Sequence, residues 1–158
     1  MYRLVFAVLA LMLLALPRPV FAEDPQAGYY YPKPKSMETY QARVATLPDA
    51  DRSQRIAFIT GVAKEIASRP YAAGYLVFAK GDEADKLIIV GMQDGGLTTV
   101  YRARALLASL TASARSTQFF QQNTIADYAT FLDFLKLLGF KQVTITDGVA
   151  FAHQVKIE

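Results

Sequence analysis

The chain has 158 residues, no cysteine, no tryptophan and a single histidine, which excludes thiol nucleophiles, iron–sulfur sites and thiolate zinc sites. Its formal net charge is +3, but two of the seventeen basic residues, Arg3 and Arg18, sit in an N-terminal segment that reads as an export signal. Fifteen basic residues then face fourteen acidic ones; they are scattered singly, whereas nucleic-acid binding calls for a clustered basic face.

Met1-Tyr2-Arg3 gives a short positive start, and residues 4–16 are an uninterrupted apolar run. Pro17-Arg18-Pro19 breaks any helix, and Val20-Phe21-Ala22 puts small residues where a signal peptidase reads. The pattern predicts a cleavable signal peptide over residues 1–22, with cleavage before Glu23 and a mature protein that is periplasmic or secreted. Thirteen apolar residues fall short of the roughly 20 that span a bilayer, so membrane contact is expected only during export. A lipid anchor would need a cysteine, and none is present.

Residues 23–35 form a Tyr/Pro-rich arm. Tyr29, Tyr30 and Tyr31 precede Pro32-Lys33-Pro34, and proline at alternate positions favours extended, polyproline-like backbone. The three tyrosines are candidate partner-binding residues for an envelope protein; the alternative is a lid on the chain's own sheet. Residues 36–158 are then one domain.

Ser36 is expected to cap a short helix through residue 47, with Glu38 in its first turn, and residues 48–51 a loop. The β-branched and aromatic run at 55–60 reads as a strand, followed by Gly61 and a short helix that Pro70 ends. Residues 75–80 and 86–92 read as strands joined by the polar link 81–85, a hairpin. Leu87-Ile88-Ile89-Val90 is apolar at every position, which predicts cover on both faces, with the arm and the first helix to shield the second face. Thr98 or Thr99 caps a helix to about Ser116, whose stripe is Val100, Ala103, Leu107, Leu110 and Ala114. Another helix is expected from about residue 123 to Gly139. The tail reads as a hairpin, with strand 143–146, an Asp147-Gly148 turn, and Phe151, His153, Val155 and Ile157 on one face of the return strand. The sum is an α+β domain, a mainly antiparallel sheet of about five strands with two longer helices packed on it.

Few residues point to chemistry. His153 has apolar strand neighbours, Phe151 and Val155, and reads as a satisfied core or edge histidine; no serine or acidic pair close in sequence suggests a triad. The acidic stretch 82–85 lacks the alternating ligands, central glycine and closing glutamate of a calcium loop, and reads as a solvated turn. Asp94-Gly95-Gly96 before a helix offers amides and the positive end of a helix dipole to an anion, which makes Thr98, Thr99, Arg102 and Arg104 candidate ligand-binding residues. The two arginines are two positions apart and point away from each other on a helix. Nothing calls for a cofactor or a metal.

Gly28-Tyr-Tyr-Tyr-Pro32, Arg55-Ile-Ala-Phe-Ile-Thr-Gly61, Phe78-Ala-Lys-Gly81, Lys86-Leu-Ile-Ile-Val90 and Leu97-Thr-Thr-Val-Tyr-Arg-Ala-Arg104 together resemble a family of small exported bacterial proteins of unknown function. Some of its members are labelled molybdopterin-guanine dinucleotide biosynthesis proteins. That chemistry calls for a glycine-rich phosphate loop after the first strand, where this chain has a single Gly61 followed by Val62-Ala63-Lys64-Glu65. The expectation from the residues is an exported, non-catalytic binding or accessory domain acting through protein contacts. The alternatives are a binder or hydrolase of a small anionic ligand and, by the family label alone, molybdopterin-guanine dinucleotide biosynthesis.

Overall fold

Residues 36–40 alternate between half-buried and exposed, the period of two that a strand imposes. They form β1 (Ser36–Tyr40) in a computed structural model that describes residues 32–93, 96–122, 125 and 127–158. The helix expected over 36–47 is thus corrected: Ser36 and Glu38 project from a strand rather than capping a helix. Tyr29, Tyr30 and Tyr31 lie outside the described residues, as do Asp94, Gly95, Asn123 and Thr124.

The strand expected at 55–60 is the middle of α1 (Arg52–Ala67). Asp51 decides the matter by accepting the amide of Gln54 at 2.8 Å, an N-cap bond that stabilises a helix by about 1 kcal/mol. Gly61 therefore sits mid-helix, far from any strand-to-helix phosphate loop. β2 (Tyr75–Lys80) and β3 (Lys86–Gly91) pair antiparallel as expected. α2 (Val100–Arg115) begins at Thr99, one of the two caps expected, whose hydroxyl accepts the Arg102 amide.

α3 (Gln118–Gln122) is a single short turn. The helix expected from residue 123 onwards is shorter than predicted, α4 (Phe131–Leu137), because Thr130 and Asp133 close a capping box there. β4 (Gln142–Thr146) and β5 (Ala152–Ile157) complete the chain as an antiparallel pair. Their link is five residues rather than two. Asp147 organises it by accepting the amides of Val149, Ala150 and Phe151, each at 2.9 Å.

The sheet order is β1-β5-β4-β3-β2. β1–β5 and β3–β4 are parallel, β2–β3 and β4–β5 antiparallel. The α+β class and the five strands stand, and the mainly antiparallel sheet is corrected to a mixed one. Parallel neighbours require a crossover, and α2, α3 and α4 supply it between β3 and β4. Apolar side chains of α1, α2 and α4 share one core with Val77, Leu87, Ile89, Val143, Ile145 and Val155 of the sheet. The first helix thus packs with this face, and the segment once expected to be a covering helix is β1 itself. Among the described residues no helix is long and apolar enough to cross a membrane.

Gly139 ends α4 in the left-handed region at φ +79°. A Cβ added there would come within 2.8 Å of Arg55 Nη1. Arg55 is buried, donating to the carbonyls of Glu83 and Leu138, so its guanidinium has little room to retreat. Gly139→Ala is expected to lower stability by about 2 kcal/mol, read as a shift in the urea midpoint at unchanged slope.

Candidate functional site

Two features stand out once the elements are in place. The first is a cavity of about 720 Å³ between α1, α2, α3, α4 and the β2–β3 end of the sheet. Its wall is almost wholly apolar, because α1 presents Phe58, Val62 and Ile66 across from Leu110 and Ala114 of α2. Phe134 anchors the aromatic side, with ring centroids 5.4 Å from Phe58 and 5.7 Å from both Phe119 and Phe120. The first two of these contacts are edge-on, which aromatic quadrupoles favour. Glu65, Arg69, Ser113 and Thr117 of the lining are exposed and mark the mouth, while Tyr75 of β2, which also lines the cavity, is half-buried. Glu65 and Arg69 pair there at 3.8 Å.

The cavity opens to solvent, since Ala57, Gly61, Ser113 and Thr117 of its lining are exposed. Water against its wall finds few polar partners, because that wall is almost wholly apolar. The shape and chemistry are those of a pocket for an apolar guest, within the roughly 300–1,000 Å³ typical of ligand sites.

The second feature lies at the opposite edge of the sheet. Ser36 of β1 and His153 of β5 are register partners, and Ser36 Oγ lies 2.7 Å from His153 Nδ1. Glu38, two residues along β1 and on the same face, places Oε1 3.1 Å from His153 Nε2. Its other oxygen is held by the Arg104 guanidinium. His153 is 1% exposed, yet both ring nitrogens are satisfied. Burial pushes the Glu38 carboxyl up, but the hydrogen bonds and charges of Arg104 and His153 outweigh this and hold it below its ordinary range. The carboxylate is therefore ionised at neutral pH.

The expected anion site is placed differently from its sequence reading. Thr99 caps α2, and Thr98 and Arg102 are exposed. Arg104 turns to Glu38, so one of the two guanidiniums already has an anionic partner in the chain. The acidic stretch is more than a solvated turn: Asp85 is 9% exposed and pairs with Lys141 at 2.9 Å, and Arg52 holds the Asp82 carbonyl. Among the described residues no group of three or more His, Asp or Glu side chains is placed to hold a metal ion.

Sequence reading found His153 as a satisfied histidine and missed its partners. The period-two placement of Ser36, Glu38 and Tyr40 was the available signal. No protein-family model, curated protein or solved structure matches the chain.

Proposed function

We propose that this chain is an exported binding domain that holds an apolar or amphiphilic small molecule in the cavity between α1, α2 and the sheet. The observation that carries the reading is a cavity of about 720 Å³ with an almost wholly apolar wall and its charged residues, Glu65 and Arg69, exposed at the mouth. Burial of apolar surface contributes about 25 cal/mol per Å², so a guest lacking polar groups along its length gains most there. A polar head would rest at the mouth, beside Arg69, Ser113 and Thr117. Export rests on the sequence of residues 1–22, as does membership of the family of small exported proteins on the segments that resemble it. An accessory role, in which Tyr29, Tyr30 and Tyr31 contact an envelope partner, belongs to the same proposal.

The test is intact and native mass spectrometry of the C-terminally tagged protein recovered from cell envelopes without detergent. The expected result is a chain that begins at Glu23 and carries a non-covalent adduct extractable into organic solvent. A processed chain with no adduct, and with no uptake of an added long-chain fatty acid, would overturn the binding reading. A chain still beginning at Met1 would overturn export.

A further inference from the structure

We propose that Ser36, His153 and Glu38 form a Ser–His–carboxylate triad that hydrolyses small acyl esters at the β1 edge of the sheet. This goes beyond the cavity reading and does not depend on it, since β1 lies at one end of the strand order and the cavity at the other.

An ionised Glu38 can only accept, so Nε2 donates to it across 3.1 Å. In the tautomer that carries its proton on Nε2, Nδ1 accepts from the Ser36 hydroxyl at 2.7 Å. That is the alignment a general base needs to activate a hydroxyl. The two ring nitrogens trade the places they hold in the Ser–His–Asp proteases, and the chemistry is the same. Arg104 acts as a positioning residue: by holding Glu38 Oε2 it turns Oε1 to the ring. Exposure is graded in the right sense, with the base buried and Ser36 half-buried.

In the reaction Ser36 Oγ attacks the ester carbonyl carbon while its proton passes to Nδ1. The tetrahedral adduct collapses, the C–O bond to the alcohol breaks, and Nδ1–H protonates the leaving oxygen. Water then attacks the acyl-serine and gives its proton to Nδ1. Collapse of the second adduct returns that proton to Ser36 and frees the carboxylic acid. Ester and water become acid and alcohol, with no other reactant. β1 is an edge strand, and the substrates proposed for it are esters of short acyl groups.

The experiment uses the mature chain, a fluorophosphonate probe and p-nitrophenyl acetate. Peptide mapping is expected to place the phosphonyl group on Ser36, about 100-fold faster than on the exposed Ser113 or Ser116, the range a positioned base supplies. Ser36→Ala should abolish both labelling and ester hydrolysis. Glu38→Gln, which keeps the side chain's shape, should slow labelling and change its pH profile, a readout that a purely structural bridge would not move. His153 is buried and its replacement can unfold the chain, so the decision rests on Ser36 and Glu38. Labelling of Ser36 no faster than of Ser113 in the folded wild type, or ester hydrolysis unchanged in Ser36→Ala, would overturn the proposal. A failure of either kind leaves the cavity reading intact, because that reading is tested by bound adduct.

Discussion

Asp133→Ala lowers the unfolding free energy by about 3 kcal/mol, through the loss of a buried acceptor that several donors share. Asp133 is 0% exposed. Its Oδ1 accepts the Arg43 amide at 2.7 Å, and its Oδ2 accepts from the Tyr40 hydroxyl at 2.7 Å and the Thr130 amide at 2.8 Å. One carboxylate thus closes the capping box of α4 and fastens the chain leaving β1 to that helix. Urea unfolding measures the loss, and Asp133→Asn, which keeps one acceptor oxygen, should lose less.

Acid titration gives the same residue a second signature. Burial pushes the Asp133 carboxyl up, but the amides of Arg43 and Thr130 and the Tyr40 and Thr130 hydroxyls together hold it below its ordinary value of 3.8. A carboxyl depressed in the folded state contributes stability that is fully present above the unfolded value and is lost as pH falls through the folded one. The wild type should therefore lose stability below about pH 4, and Asp133→Asn should lose less over that range. An Asp133→Asn variant with an unchanged acid limb would show that other carboxylates govern it.

Filling the cavity separates stability from ligand binding. A Cβ built on Gly61 meets nothing within 4 Å, and Gly61 lines the cavity from α1. Gly61→Leu therefore projects into open space at the cavity's exposed rim while removing a glycine from a helix interior, worth about 0.8 kcal/mol on propensity alone. Ala114→Phe fills from the facing side, on α2. The double variant is expected to be more stable than the wild type without ligand, by about 1–2 kcal/mol. A ligand at 100 times its Kd raises wild-type stability by about 2.7 kcal/mol, and in the filled variant that increment should vanish. Thermal unfolding with and without a long-chain fatty acid checks both.

Sequence reading succeeded where local pattern and tertiary role agree. The β2–β3 pair, the α2 stripe with its Thr99 cap, and the alternating β5 face through His153, Val155 and Ile157 are of this kind. It failed where local propensity points one way and packing the other. Ile56-Ala57-Phe58-Ile59-Thr60 has strand composition, but Asp51 caps a helix and Phe58 and Val62 pack with the core from it. Ser36-Met37-Glu38 carries helix-start chemistry, yet β1 turns its polar residues inward, to His153 and Asp133, and leaves Met37 71% exposed. An edge strand with inverted polarity defeats any rule that places apolar residues inside.

Both sites inherit these failures. The cavity exists only because residues 52–67 are a helix facing α2, so a reading that makes 55–60 a strand has no place for it. The Ser36–His153 contact spans 117 positions and depends on the parallel pairing of the first and last strands, which no local pattern encodes. The candidate anion residues were found from cap chemistry, and the cap is real. The destination of Arg104 was not legible, because Glu38 meets it from β1, 66 positions away in the chain.

The most direct test of the central claim is a titration of the mature wild type with a fluorescent long-chain fatty acid, repeated on the Gly61→Leu/Ala114→Phe variant. Saturable binding of about one probe per wild-type chain, abolished in a filled variant that still unfolds cooperatively, is the predicted result. Equal binding by both proteins, or none by the wild type, would contradict the assignment of the cavity as the ligand site.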